Sequence, residues 1–409
     1  MDFTIQYTKE QEDFRQEVRG WMEENAQYPP ELGEIPLEDG DVSREMWEWS
    51  VEFQRKLGAK GWLFPLDSKE YGGGGLTPDH DLIIQEELGR VEYPDVAAGG
   101  QQPVAALFLY GTEEQKAKLL PSFLKGEAGS WQLWTEPTGG ADLANIKTRA
   151  VKDGDDFVIT GEKVFVGSVF EPTYFWCLTI TDPDGPRHQN MGAFLIPANS
   201  PGVTVNTLNL ITRESKRHIM LDGVRVSREY LIGGETEGWR VVSSGREMEG
   251  AGLGSVGQKD GLRRHYDTVR DVIEYSKGTH RSGQPLSKDP SVQQTLVESY
   301  IDTHVQQLIQ VRNYWMGNSR QPMSWHASQY SALSRMVSMG AADNILSALG
   351  PYALTTDNEW APLEGRVELK QRQGVRAEHG AGTLETDKIK MARRLDISRT
   401  KDRAAPIRA

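Results

Sequence analysis

Three stretches of this chain carry residue types whose spacing suits chemistry. The first is Trp134-Thr135-Glu136-Pro137-Thr138-Gly139-Gly140-Ala141-Asp142-Leu143, a small-residue loop with hydroxyls and carboxylates, set just ahead of an apolar, β-branched run. The second is Tyr71-Gly72-Gly73-Gly74-Gly75-Leu76. Backbone so free of side chains can wrap a phosphate, but the phosphate loop needs a Lys-Ser or Lys-Thr after it, and neither follows. A flexible turn between helices is the better reading. The third is Glu247-Met248-Glu249, two carboxylates in a stretch of helical spacing. Residues two apart on a helix point roughly 200° apart, so only one of them can face a given site. His218, His280 and His379 are scattered without metal-ligand spacing and there is no thiol cluster, so no metal site is expected. Cys177 lies in a β-prone run and reads as a small buried hydrophobe.

These stretches need elements to position them. Phe14, Val18, Trp21 and Met22 recur at i, i+4, i+7 and i+8, one face of a helix. Thr8 with Gln11 three residues on resembles a capping box at its start. Met46 to Leu57 and Leu82 to Leu88 continue the helical pattern. Near Gly129 it changes. Phe157-Val158-Ile159, Val164-Phe165-Val166, Phe175-Trp176-Cys177-Leu178, Ala193-Phe194-Leu195-Ile196, Val203-Thr204-Val205 and Val224-Arg225-Val226 are short β-prone runs. Turn residues such as Asp153-Gly154 and Asp182-Pro183-Asp184-Gly185 separate them. From Gly238-Trp239 helical spacing returns, through Val269, Val272, Ile273, Leu296, Ile301, Val305, Leu308 and Val311, and again from Leu333 to Leu349.

Composition bounds the reading. At 409 residues the chain is too long for one ordinary core, and 37% hydrophobic with 26% charged residues fits a globular protein. No window approaches the roughly 20 apolar residues of a membrane span. The N-terminus shows no basic region followed by an apolar core, and the single cysteine fits a reducing compartment, so a cytoplasmic location is expected. A net charge of −13 argues against nucleic acid or an anionic membrane as main partner. An anionic cofactor remains compatible, because local backbone donors can outweigh global charge.

The first stretch closely resembles the flavin-binding signature of the acyl-CoA dehydrogenases. Lys147-Thr148-Arg149-Ala150 and Asp153-Gly154-Asp155-Asp156-Phe157-Val158-Ile159-Thr160-Gly161-Glu162-Lys163 continue the resemblance in register, and the family carries a similar Gly-rich turn at 72–75. Helix, then β, then helix is also the family's order, so the likeness covers nearly the whole chain. It implies an α+β multidomain fold: an N-terminal α-helical domain at 1–128, a middle β-barrel or sandwich domain at 129–237, and a C-terminal helical bundle at 238–409. It also implies FAD as cofactor, an acyl-CoA thioester as substrate, an electron-transfer flavoprotein as electron acceptor, and a place in fatty acid or lipid metabolism. The assembly it implies is a homotetramer or dimer, or a mixed oligomer with a related subunit.

The resemblance carries over Trp134 and Thr135 as backbone and hydroxyl contacts to the flavin pyrimidine edge. Gly140 and Ala141 match the loop near the pyrophosphate. Phe165 stands where a tryptophan usually packs on the isoalloxazine, with ordinary β-core packing as the alternative. Gly167 takes the place of a Thr or Ser that hydrogen-bonds near flavin N5, and Ser168 comes one residue late. Thr279-His280-Arg281-Ser282-Gly283-Gln284-Pro285-Leu286 aligns by its Gly-x-Pro-Leu end with the segment that reaches the adenine half of FAD in a neighbouring subunit. There Arg281 is shifted two places and Ser282 replaces a phenylalanine, so a solvated loop arginine is equally compatible. Leu349-Gly350-Pro351-Tyr352 resembles a Gly-rich FAD loop, and Thr383 and Glu385 match positions that contact FAD.

The implied reaction is α,β-dehydrogenation, which needs a carboxylate base for the α-proton, with its pKa raised in an apolar pocket. The commoner base position falls in His379-Gly380-Ala381-Gly382-Thr383 on Ala381, which cannot abstract a proton. The minor position, on the helix after Gly238-Trp239, falls on Glu249 when counted without gaps. Gly250, Gly252, Gly254 and Gly257 follow it, and each costs about 1 kcal/mol against alanine in a helix. They would either leave room for a bulky or branched acyl group or admit a neighbouring helix. Two alternatives stand beside the dehydrogenase: an oxygen-using flavin oxidase or monooxygenase of the same fold, and a non-catalytic subunit that completes a neighbour's FAD site.

Overall fold

The computed structural model describes residues 7–36, 41–212, 214–250, 268–318, 321–356, 359–377 and 382–398, the side chains of 245–250 and 318 excepted. Thr8–Leu88 with Tyr93–Glu247 forms one compact unit, and a second falls within Met248–Arg408 together with Gly89–Glu92.

The first unit opens with five helices: α1 (Lys9–Asn25), α2 (Arg44–Ala59), α3 (Pro78–Leu88), α4 (Gln101–Tyr110) and α5 (Glu113–Leu124). The capping box is realised at the start of α1. Thr8 Oγ1 accepts from the Gln11 amide at 3.2 Å, and the Thr8 amide donates to Gln11 Oε1 at 2.8 Å. Thr112 and Gln115 repeat it on α5. Val18 and Met22 are buried on the expected face of α1. Buried Glu87 of α3 accepts from Arg15 at 3.1 Å and from Arg19 Nε at 2.9 Å, tying α1 to α3.

The four-glycine run is packed rather than loose. The amides of Gly73, Gly74 and Gly75 donate to the carbonyls of Ser68, Phe64 and Asp67. A Cβ on Gly73 would lie 2.4 Å from the Asp67 carbonyl oxygen, and one on Gly74 the same distance from that of Gly61. The glycines allow two stretches of backbone to touch, and their amides are already spent, which replaces the expectation of a flexible turn.

Eight strands follow: β1 (Ser130–Leu133), β2 (Arg149–Asp153), β3 (Asp156–Val166), β4 (Tyr174–Ile180), β5 (Met191–Pro197), β6 (Val203–Asn209), β7 (Ser215–Ser227) and β8 (Leu231–Ile232). They form one sheet in the order β6-β7-β3-β2-β4-β5-β8, with β1 paired parallel to β4. Asp153 pairs with Asp156, so the Asp153-Gly154 signal becomes a tight two-residue turn with Gly154 at φ +67°. Side chains alternate across a strand, and β4 and β5 are apolar on both faces. Trp176, Leu178, Ala193 and Leu195 pack with α4 and α5 residues such as Leu107, Leu120 and Phe123. Phe175, Cys177, Phe194 and Ile196 face a second core with Phe157, Ile159, Ile219, Leu221 and Val224. Strands far apart in the sheet thus share one interior, and the sheet curls around it. Burial pushes the Cys177 thiol up to about 11.

Helix α6 (Gly238–Gly250) closes this unit's first core with Val241 and Val242. A Cβ on Gly238 would sit 2.6 Å from the Gly192 backbone, so the start of α6 lies directly on β5. The second unit holds α7 (Thr268–Gly278), a hairpin of β9 (His280–Arg281) and β10 (Gln284–Pro285), then α8 (Pro290–Asn318), α9 (His326–Leu349), α10 (Arg366–Ala377) and α11 (Leu384–Arg394). Val269, Val272, Leu296, Ala341, Ile345 and Val367 are among its core residues. Ile301, Val305 and Leu308 of the apolar α8 pattern are instead exposed, as are Val297 and Trp315. Among the described residues no helix is long and apolar enough to cross a membrane.

One charge in the first unit is held at a cost. Burial, helped by neighbouring Asp81, pushes the Asp67 carboxyl up to about 6, and burial also raises Asp81. Between the ordinary 3.8 and about 6 the folded chain keeps a proton that the unfolded chain has released. Stability from this group is therefore highest at acid pH, falls as pH rises through that window, and stays lower above it. Asp67→Asn should raise the midpoint of thermal unfolding by about 2 °C or more near pH 8 and leave it almost unchanged near pH 4. Equal shifts at both pH values would rule this out.

Candidate functional site

β1 and β2 lie one after the other along the same edge of β4: Ser130–Leu133 pair with Tyr174–Cys177, and Arg149 pairs with Ile180. Between them the chain leaves the sheet as the loop 134–148. Its shape is set by Glu136, which is only 4% exposed. Glu136 Oε2 accepts from the Lys147 amide at 2.5 Å, and Oε1 accepts from the Thr148 amide at 2.9 Å and the Thr148 hydroxyl at 2.6 Å. Lys163 Nζ, fully buried on β3, lies 2.9 Å from Oε1 and also donates to the carbonyls of Trp134 and Leu178. Burial pushes the Glu136 carboxyl up. The Lys163 charge and the bonds from Thr148 and Lys163 outweigh that and hold it below the usual carboxylate range.

The rest of the loop hangs from this pin. Glu136 and Gly139 exchange two backbone bonds of 3.0 Å each, closing a tight turn over Pro137-Thr138. Leu143 and Ile146 are buried, and Asp142 pairs with Arg187 on the surface. The Thr135 carbonyl accepts from the Val164 amide at 2.8 Å, which brings Thr135 beside the end of β3. A Cβ on Gly140 would touch Thr135 Cγ2 at 3.0 Å, so the loop folds back on that residue. The Thr135 amide and hydroxyl and the amides of Gly140, Ala141 and Asp142 have no partner among the described residues. Trp134 is half-buried, its ring edge-on to Trp176 and its Nε1 donating to Gln132 at 2.9 Å.

β3 ends irregularly. Lys163 pairs with Ile219 but Val166 with Arg217, so one extra residue is accommodated at Val164-Phe165. Phe165 has φ +59°, a conformation costing a bulky residue on the order of 1–3 kcal/mol, and its ring is 57% exposed. It is not part of the β core, which removes the packing alternative. Gly167 has φ +61°, and Ser168 beside it is half-buried.

The sequence-derived residues of the second unit sit on two features. Arg281 is exposed on a hairpin whose turn residues Ser282 and Gly283 both have positive φ, and its guanidinium donates to the Ala348 carbonyl at 2.9 Å. This places it at the end of α9, beside Gly350 of the Leu349–Tyr352 loop, rather than loose in solvent. Thr383 caps α11, its hydroxyl accepting from the Thr386 amide at 3.1 Å, and Glu385 is exposed in that helix's first turn. Glu249 lies on the helical backbone of α6, but its side chain and that of Glu247 are outside the described residues. So are 251–267, with the rest of the glycine run, and 378–381, with Ala381 and His379. His218 meets Glu162 at 2.8 Å, and His280 is an exposed hairpin residue.

Sequence reasoning overlooked Lys163. A signal existed: Ile159, Gly161 and Lys163 share one side of β3, and a cation at an inward position needs a buried carboxylate partner. Trp131, which packs on Gly167, left no comparable signal.

This arrangement matches one known family along the chain. The acyl-CoA dehydrogenase N-terminal domain model matches residues 8–127, the middle domain model 132–221 and the C-terminal domain model 237–395. The chain belongs to the acyl-CoA dehydrogenase family. The acyl-CoA dehydrogenase FadE26 of Mycobacterium tuberculosis is 27% identical over 400 residues, covering 94% of this chain and 96% of its own. A structure described as Tcur3481-Tcur3483 steroid ACAD superposes with a TM-score of 0.79 at 25% identity, covering 98% of this chain and all of that one. The ChsE4-ChsE5 complex from Mycobacterium tuberculosis gives 0.76 at 25% identity, with 97% and 100% coverage.

The family's cofactor is FAD, and the loop's chemistry fits it. The amides at 140–142, without partners among the described residues, suit a pyrophosphate, the Thr135 amide and hydroxyl suit a polar ring edge, and an exposed aromatic ring stands nearby on β3.

The pin should behave as a buried ion pair. Removing one member strands a charge, which typically costs about 3–5 kcal/mol. Lys163→Met should lower the urea-unfolding free energy by about that amount near pH 7. Glu136, depressed in the fold, contributes stability above its unfolded pKa that is lost as pH falls through its folded value. The deficit of Lys163→Met relative to wild type should therefore shrink toward acid pH, and Glu136→Gln/Lys163→Met should lose less than Lys163→Met alone. An undiminished deficit in both comparisons would show that the pair does not set the loop.

Proposed function

We propose that this chain catalyses FAD-dependent α,β-dehydrogenation of an acyl-CoA thioester with Glu249 as the α-proton base, and passes electrons to an electron-transfer flavoprotein. The observation that carries the reading is the loop after β1, pinned at Glu136 and open at Thr135 and at the amides of Gly140, Ala141 and Asp142. Those groups, with Trp134, Phe165, Gly167 and Ser168, hold the cofactor in this reading. Arg281, Thr383 and Glu385 are further cofactor contacts in this reading, as the family resemblance implies. When bound, FAD supplies the acceptor for the β-hydride.

The protein's own task is the proton. Glu249 takes it from the α-carbon, and a carboxylate does this efficiently when desolvation brings its pKa toward the working pH. Support comes from α6 being helical through residue 250, with its first turns fixed on β5 and in the core by Gly238, Val241 and Val242. Ala381 at the other base position has no atom to accept a proton. Donors aimed at the thioester oxygen must share the charge that develops there.

The acyl group in this reading is bulky, ring-bearing or branched. The glycines after Glu249 support it, as does the likeness to a structure described as a steroid ACAD. The working unit is an oligomer, supported by the exposed Val297, Ile301, Val305 and Leu308, which recur at helical spacing along α8. A second reading is a subunit that completes the FAD site of a related partner. It is favoured by the likeness to a structure described as the ChsE4-ChsE5 complex. The visible spectrum and sedimentation of the chain purified alone separate the two: a yellow oligomer supports the first, a colourless species that turns yellow only with a partner the second.

Under anaerobic conditions, Glu249→Gln should abolish bleaching of bound flavin by CoA esters while leaving FAD affinity within about twofold, since the amide is nearly isosteric but cannot take the proton. Retention of bleaching there and loss in Glu247→Gln would move the base to Glu247. Ring-bearing or branched CoA esters should show higher kcat/KM than straight-chain esters of equal carbon count, and the reverse order would sink the bulky-substrate reading.

A further inference from the structure

The end of β3 is held by a contact that no sequence motif marks. Trp131, on β1, is 5% exposed, and Gly167 lies against the flat of its indole. A Cβ built on Gly167 would fall 2.1 Å from Trp131 Cδ2 and 2.3 Å from Cε2, a distance no side chain can occupy. The same turn is fastened from β7. Lys216 Nζ donates to the Gly167 carbonyl at 3.0 Å, and Arg217 donates to the Val169 carbonyl at 2.6 Å. Just ahead, Phe165 is left-handed and exposed, in the stretch where β3 carries its extra residue.

We infer that Trp131 is a positioning residue for the cofactor-facing turn: its indole fills the space a side chain at 167 would need and so holds residues 164–168 in the left-handed bulge that stands the Phe165 ring off the sheet. This rests on the reading of that turn as part of an FAD site. A bulky residue keeps a strained backbone only where its surroundings over-determine it, and here the indole on one side and two cationic side chains on the other do so. The glycine at 167 is then a requirement of the packing rather than erosion of the site. A hydroxyl cannot be restored at 167 while Trp131 remains, and the turn contributes shape in place of a donor. Preorganisation of this kind acts through the ordering cost avoided on binding.

The experiment uses the full chain, without FAD for amide hydrogen exchange and with titrated FAD for affinity. Trp131→Leu keeps an apolar side chain in the core but removes the indole face. In it, amides 165–168 should exchange at least about tenfold faster while those of Phe157–Ile159 are unchanged, and the Kd for FAD should rise about tenfold, the scale of ordering a few groups on binding. Gly167→Ala should loosen the same amides from the other side, because its methyl needs the volume the indole holds. The double variant should recover toward wild type relative to Gly167→Ala, the non-additivity expected of a direct contact. Unchanged exchange at 165–168 in both single variants, a uniform acceleration across the sheet, or simple additivity in the double would overturn the inference. Were Trp131→Leu not to fold, Gly167→Ala with Trp131→Phe would decide by the same readouts. Should the wild-type chain bind no FAD while the exchange pattern holds, the proposed function fails and the coupling between Trp131 and the turn stands.

Discussion

The loop after β1 depends on one buried ion pair, Glu136 with Lys163, and both side chains are almost wholly out of water. Two such charges are tolerated only when every lone pair and proton finds a partner. Here Glu136 takes four donors, and the ammonium adds two carbonyls, those of Trp134 and Leu178. The pair binds β3 and β4 to both ends of the loop. Because the pin takes up the ends, the middle of the loop is free to present backbone amides that have no partner among the described residues. A set of open donors on a fixed frame is what recognition of an anionic cofactor requires, and this network is how an acidic chain, with a net charge of −13, offers one.

Local signals carried much of the fold in the sequence. The Thr8–Gln11 box, the Asp153-Gly154 turn and the change from helical to β spacing near Gly129 each report on chemistry within a few residues, and each is realised. The loop at 134–143 was legible as a motif for the same reason. What failed to show were contacts between distant segments. The glycines at 72–75 read as looseness because the backbone they touch, at 61–68, cannot be seen from their own neighbours. The exposure of Phe165 depends on a register shift against β7, and the site of Arg281 depends on where α9 ends. The apolar stripe of α8 was visible, but periodicity alone does not say whether such a face meets its own chain or another.

β4 and β5 give the sheet its place in the first unit. Both are apolar on either side, as strands covered on two faces must be. One face meets α4 and α5 and the other meets the curled remainder of the sheet. Strands so enclosed tolerate little shift in register, since a one-residue slip would exchange the two cores wholesale. The edge of β4 that carries β1 and β2 is therefore a rigid mount for the loop between them.

Cys177 illustrates that enclosure and also makes the protein convenient to handle. It is the chain's single cysteine, fully buried between β1 and β5 with its thiol pushed up to about 11, so very little reactive thiolate is available at neutral pH. The native chain thus already behaves as a cysteine-free background toward maleimides and spin labels. A cysteine placed at any exposed position, on the α8 stripe or at the tip of the β9–β10 hairpin for example, would be the one thiol that reacts, and distances could be mapped without first removing the natural residue from the core.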